Sequence, residues 1–209
     1  MSRPLVTDAD VWGLISDVHG NGAALDQALR VLADAGARKL AFLGDYLGRG
    51  DSDRCVATIR EVADLAIVGN RDLDWQDRVL PTTKAYVLSL PRSAQAGRLL
   101  LSHGDTRLTP ALSTSQIGRG FARVWPELEQ RAAQVWAFGH SHQARIWRKT
   151  TASPAAERIQ ADCVTLEADA LYCVNVGTTG LPFPGKGGPS VALIDFPNSQ
   201  IRQIALDRV

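Results

Sequence analysis

Five short apolar runs punctuate the chain, and each stops at a side chain able to bind a metal. Residues 11–15 lead to Asp17 and His19, 40–44 to Asp45, and 65–69 to Asn70. Residues 99–102 lead to His103, and 135–139 to His140 with His142 two places on. Runs of this length, bounded by glycine and polar residues, predict buried strands. Between the first two, Ala24, Leu25, Ala28, Leu29, Val31 and Leu32 recur at helical spacing, predicting a helix opened by Asn21 and Gly22 and stopped by Gly36. Cys55, Val56, Ile59 and Val62 predict a second, shorter helix. A β-α-β-α-β rhythm implies parallel strands joined by right-handed crossovers.

Beyond Asp72 the pattern loosens. A helix is expected over 82–90, ended by Pro91, with Ala85, Leu88 and Val87 turned inward. A strand over 98–101 follows, then a loop over the site at 106–120. A helix is next expected over 121–133, with Pro126 at its start or at a kink. Short β segments are expected over 145–149, 163–167, 171–176, 190–196 and 201–206. Pro197 and Asn198 form a hairpin turn, and the glycine- and proline-rich 177–189 a loop. The second half should thus build a second, largely antiparallel sheet against the first, within one domain over 1–209.

The polar residues that end the runs give the pattern its chemistry. In an alternating strand Asp17 and His19 point to one face, and a carboxylate beside an imidazole suits manganese, iron, cobalt or zinc. Sites in open α/β sheets form at the carboxyl ends of strands, where all five groups fall. Glycines before Asp45, Asn70 and His140 let the backbone turn sharply and approach closely. The chain has four histidines, and all four stand at these strand ends. One such residue would read as a core histidine; four together point to metal.

Composition narrows the field. At 209 residues, with 45% hydrophobic and 22% charged residues, the chain matches a globular domain with one core. A net charge of +1 leaves no footprint for a dedicated nucleic-acid binder. No apolar run approaches the roughly 20 residues of a membrane span, and no charged-then-apolar segment opens the chain, so a cytoplasmic protein without a membrane partner is expected. Cys55, Cys163 and Cys173 lack paired spacing and read as small buried hydrophobes. Trp75, Trp125, Trp136 and Trp147 are candidates for a pocket or partner surface, or for core packing.

Taken in order, the motifs are Asp17-x-His19, Gly44-Asp45 with Arg49-Gly50, Gly69-Asn70-x-Asp72, His103-Gly104 and Gly139-His140-x-His142. This series resembles the calcineurin-like metallophosphoesterase superfamily over about residues 14–196. The run 16–21 and the pattern at Asn175, Val176, Gly177 and Thr178 resemble its small prokaryotic phosphodiesterase branch, with Val176 in place of that branch's proline. The resemblance implies an α/β (α+β) fold, a four-layer α-β-β-α sandwich of two mixed sheets with helices on the outer faces. It implies two divalent metal ions, manganese first, with iron, cobalt, nickel or zinc as alternatives. Asp17, His19, Asp45 and His142 would hold one; Asp45, Asn70, His103 and His140 would hold the other, with Asp45 shared. A hydroxide bridging the ions would attack a small phosphate ester in line.

Three further residues are implied as catalytic. Arg49 matches a phosphate-contacting position, and its planar fork suits paired oxygens. Arg71 stands where many of these phosphatases carry a histidine credited with protonating the leaving group. Arginine, with a pKa above about 12, supplies charge and no proton. Asp72 would orient Arg71 or cap the next helix. The expected activity is therefore a phosphodiesterase. The alternatives are a dinucleoside polyphosphate hydrolase, a protein phosphatase, or a non-catalytic interaction scaffold on this fold; completeness of all seven ligands favours an enzyme.

Overall fold

The structure, a computed structural model, describes residues 10–104, 117–153 and 155–209. Its first strand, β1 (Val11–Ile15), is followed by α1 (Gly22–Asp34), β2 (Lys39–Phe42), α2 (Ser52–Val62) and β3 (Leu65–Ala66). These match the expected rhythm, and β1, β2 and β3 pair in parallel. Asn21 caps α1 by accepting the Ala24 N–H at 3.0 Å, and the chain leaves this helix through Gly36 at φ 93. Next come α3 (Asn70–Trp75), a single 3-10 turn (Gln76–Arg78) and α4 (Pro81–Ser89).

Helix α4 is where expected and turns Val87 inward as expected, but Ala85 and Leu88 do not join it. Thr83 and Val87, one turn apart, are buried, whereas Ala85 and Leu88 face solvent. The Thr83 hydroxyl donates to Asp53 Oδ1 at 2.6 Å, which fixes that face against α2. Strands β4 (Ser93–Ala96) and β5 (Leu99–Ser102) form a hairpin whose first strand no periodicity signalled. The expected loop at 106–120 lies outside the described residues up to 116, and α5 (Ile117–Gln130) already occupies 117–120. Pro126 lies inside α5. The chain continues through β6 (Val135–Phe138), β7 (Arg145–Thr150), β8 (Glu157–Ile159), β9 (Cys163–Thr165), β10 (Ala170–Asn175), β11 (Ser190–Asp195) and β12 (Gln200–Ala205).

The second half does not build a sheet of its own. One six-stranded sheet runs β3-β2-β1-β11-β12-β9, and the other β4-β5-β6-β10-β7-β8. Strand β11 docks antiparallel on β1, and β10 lies parallel to β6, so C-terminal strands complete both mixed sheets. Alternation then sorts side chains into layers. Trp12, Leu14, Leu99, Leu101, Val135 and Ala137 meet between the sheets. Ile15 and Phe42 turn outward to Leu25 and Ile59 of α1 and α2, and Trp136 and Phe138 to Trp125 and Leu128 of α5. The result is the expected α-β-β-α sandwich. Trp125, Trp136 and Trp147 are core residues, as are Cys55 and Cys173, but Cys163 is exposed on β9, which ends its sheet.

Candidate metal centre

All seven expected ligands converge where β1, β2, β3, β5 and β6 end. Asp17 and His19 do so differently from an extended strand: β1 stops at Ile15, and both residues take left-handed backbone, at φ 54 and 50. Asp45, His140 and His142 do the same, at φ 57, 68 and 59. Such conformations cost about 1–3 kcal/mol each in residues other than glycine and gather at functional sites. Ladder-like hydrogen bonds from Asp17 N–H to Gly44 carbonyl and from His19 N–H to Asp45 carbonyl, each 3.0 Å, hold two of these loops together. Glycine is required where they pack. A Cβ on Gly44 would lie 2.6 Å from Gly69 N and 2.9 Å from His103 Nδ1.

The donor atoms are closely spaced. His142 Nε2 lies 3.1 Å from Asp17 Oδ1 and 3.2 Å from His19 Nε2. His103 Nε2 lies 3.2 Å from Asp45 Oδ2, and His140 Nδ1 lies 2.9 Å from Asn70 Oδ1. Asp45 Oδ2 is also 3.9 Å from His19 Nε2, which puts this carboxylate between the two groups. Asp17 belongs to both three-donor groups as well: Asp17, His19 and His142, and Asp17, Asp45 and His103.

Divalent metals fit this donor set. Ligands about 2.1 Å from a common ion stand roughly 3 Å apart, as these pairs do. Among the described residues, Asp17 Oδ1 and His103 Nε2 are buried without a hydrogen-bond partner. Each carboxylate has one oxygen committed to the protein. Asp17 Oδ2 accepts from Ser16 Oγ and His140 N–H, and Asp45 Oδ1 from Arg71 N–H at 2.7 Å. The imidazoles are oriented likewise. His103 Nδ1 meets the Leu43 carbonyl at 2.7 Å, and His142 Nδ1 the Leu181 carbonyl at 2.6 Å. A carbonyl only accepts, so Nδ1 carries a proton in each ring, and Nε2, once deprotonated, turns its lone pair toward the cluster.

The electrostatics are those of a site with packed ligands. Burial opposes charge on Asp17, yet the close imidazoles of His142 and His19, 3.1 and 3.7 Å from its Oδ1, hold its carboxyl well below the usual range. Burial also opposes charge on His103, but the Asp45 carboxylate lifts it to about 10. Burial and the charge of His103 lower His140.

The three residues expected to be catalytic separate. Arg49 is exposed and lines the cavity above the cluster, with no hydrogen bond or ion pair among the described residues. Arg71 lines the same cavity, its guanidinium 3.7 Å from Asp74. Asp72 does not orient Arg71. It is wholly buried and accepts the N–H groups of Asp45, Tyr46, Leu47 and Gly69 at 2.7–3.0 Å, capping its own helix and pinning the Asp45 loop. Burial, then the Asp45 charge, raises its carboxyl to about 6.

The supports around the cluster differ in how far the sequence signalled them. Phe183 stacks on His142 with ring centroids 4.6 Å apart, and nothing in its loop's composition signals this. Asn175 donates to the Gly139 carbonyl and Ser141 Oγ and accepts the Gly177 N–H, bracing the loop that carries His140 and His142. The motif at 175–178 was the available signal. The cavity, about 510 Å³, has the cluster as its floor and Trp75, Leu47, Leu181 and Phe183 as apolar walls.

With this sandwich and this cluster in place, the chain belongs to the calcineurin-like phosphoesterase superfamily, whose domain model matches residues 11–199. It is accordingly a phosphoric ester hydrolase of a family that uses divalent metals. An uncharacterised protein of Methanocaldococcus jannaschii, MJ0912, is 40% identical over 226 aligned positions, covering 93% of this chain and 86% of that one. The structure of a metallophosphoesterase from Sphaerobacter thermophilus superposes with a TM-score of 0.76 at 20% identity, covering 96% of this chain and 89% of that one. An archaeal phosphodiesterase superposes at 0.55 with 15% identity, covering 94% and 99%. Among the described residues, no helix is long and apolar enough to cross a membrane.

Proposed function

We propose that the chain is a phosphodiesterase working with two divalent ions, manganese first. Asp17, His19, Asp45 and His142 would hold one ion, and Asp45, Asn70, His103 and His140 the other. Such a pair, when bound, activates water and neutralises phosphoryl charge. The protein's own contribution is positional. Arg49 and Arg71 meet the non-bridging oxygens of a small ester seated on the cluster, and the apolar walls hold its organic arms.

The observation that carries the diester reading is that, among the described residues, the cavity holds no proton donor outside the cluster. All four histidines of the chain are in the cluster. Among the described residues, the remaining cavity wall offers Arg49 and Arg71 and no serine, threonine, tyrosine, lysine or glutamate. An alkoxide leaving without a proton is poor; an acidic leaving group needs only charge stabilisation.

The test is a panel assayed with manganese: aryl phosphomonoesters, aryl phosphodiesters, cyclic nucleotides, diadenosine tetraphosphate and a phosphopeptide. Bis(p-nitrophenyl) phosphate should exceed p-nitrophenyl phosphate in kcat/KM. Faster turnover of the monoester, or efficient cleavage of alkyl monoesters, would remove the diester reading. Preference for either of the last two substrates would replace it with the corresponding alternative.

A further inference from the structure

The cavity has one wall that the cluster does not explain. Phe183 stacks on His142, and the Leu181 carbonyl fixes the same imidazole, so that side of the cavity is committed to holding a ligand. Trp75 is not. It is the last residue of α3, four residues after Arg71, so the two stand about one turn apart on the same helical face, about 6 Å along the axis. Both line the cavity. Trp75 also borders a second, adjoining cavity of about 250 Å³, reached past Gly48 and Arg49. There the Arg78 guanidinium lies 4.5 Å from the indole centroid. The ring is half-buried against the core beneath α1 and α2 and is held in place by this cation.

We infer that Trp75 is a stacking shelf for a planar aromatic ring carried on one ester arm of the substrate. The inference rests on the phosphodiesterase reading and deepens it. Arg71 receives a phosphoryl oxygen, and one helical turn away the indole receives the ring, as an aryl or nucleobase ester requires. A flat, half-exposed indole at a cavity rim rewards a second flat ring more than a flexible alkyl chain, which loses rotational freedom on binding. Trp75 is thus a specificity residue for the proposed substrate class.

The test is calorimetric binding of methylphosphonate, phenylphosphonate and a non-hydrolysable adenosine 5′-phosphonate to the manganese-loaded full chain. Wild type should bind phenylphosphonate about tenfold more tightly than methylphosphonate, the scale of one aromatic contact. Trp75→Leu, which keeps apolar bulk, should lower phenylphosphonate affinity about tenfold and bring that ratio close to one; Trp75→Phe should keep most of it. The aromatic phosphonate with the larger Trp75-dependent ratio identifies the arm as aryl or nucleobase. Equal phenyl and methyl affinities in wild type, or an unchanged ratio in Trp75→Leu, would overturn the shelf. Failure of the diesterase reading would show instead as missing turnover in wild type, a separate result.

Discussion

The Asp72 carboxylate accepts the backbone N–H of Asp45 at 2.9 Å, so a buried acid outside the cluster sets the position of one at its centre. Three more N–H groups, from Tyr46, Leu47 and Gly69, converge on the same carboxylate. An amide at this position presents its own N–H groups where an acceptor is needed. Asp72→Asn should destabilise the fold by about 3 kcal/mol, the cost of losing charged hydrogen bonds in a buried place. It should also weaken metal binding about tenfold through the displaced Asp45. Denaturant unfolding and metal titration check this; wild-type values for both would mean that Asp72 holds nothing that matters.

The metal-free protein should respond to pH through His103. Its imidazole is lifted from an ordinary value near 6.5 to about 10 by the Asp45 carboxylate, against the opposing effect of burial. A raised histidine pKa contributes stability that is complete below pH 6.5 and is lost as pH rises through about 10. Coordination needs the neutral ring, so metal affinity should rise with pH as protons stop competing. The Tm of chelated protein should therefore fall across this window while the stabilisation conferred by metal grows. A flat Tm for the chelated form would contradict the pairing of His103 with Asp45.

Arg49 lines the cavity and makes no hydrogen bond or ion pair among the described residues. Arg49→Ala should lower kcat/KM about 10- to 1,000-fold, the range for removing one preorganised donor, with metal content unchanged. Full activity in this variant would return Arg49 to the role of a surface side chain.

Arg71→His asks whether the missing acid explains the diester preference. Histidine brings a titrating group near neutrality. In a leaving-group series it should flatten the dependence on leaving-group pKa and raise monoesterase relative to diesterase activity. Coincident slopes for the two proteins would show that another group supplies the proton.

Much of this site was legible because each ligand follows a strand with its own apolar run, and such runs announce themselves locally. Glycine added a second local sign, since Gly44 and Gly69 pack too closely for any side chain. What was not legible depends on partners distant in sequence. The assignment of β11 to β1 puts residue 192 opposite Leu14, a pairing that no spacing encodes. Leu181 matters through its carbonyl, which every residue possesses, and Phe183 through a stack on a residue 41 positions earlier. The inward face of α4 was misread at Ala85 and Leu88 because its apolar residues surround the helix, and a hydrogen bond from Thr83 to Asp53 chooses the face. Asp72 was legible as a helix cap but not as the anchor of the Asp45 loop, for the same reason: its four donors come from two separated loops.

The most direct measurement is the metal content of the reconstituted chain, set beside that of Asp45→Asn. Asp45 Oδ2 lies between His103 and His19, 3.2 and 3.9 Å from their Nε2 atoms, so in the proposed two-metal site one atom would serve both groups. Wild type should bind two manganese ions and hydrolyse bis(p-nitrophenyl) phosphate only when both are present; Asp45→Asn should bind more weakly at both sites and lose turnover. A wild-type chain that saturates with one ion or none, or an Asp45→Asn variant with an unchanged load, would contradict the two-metal account.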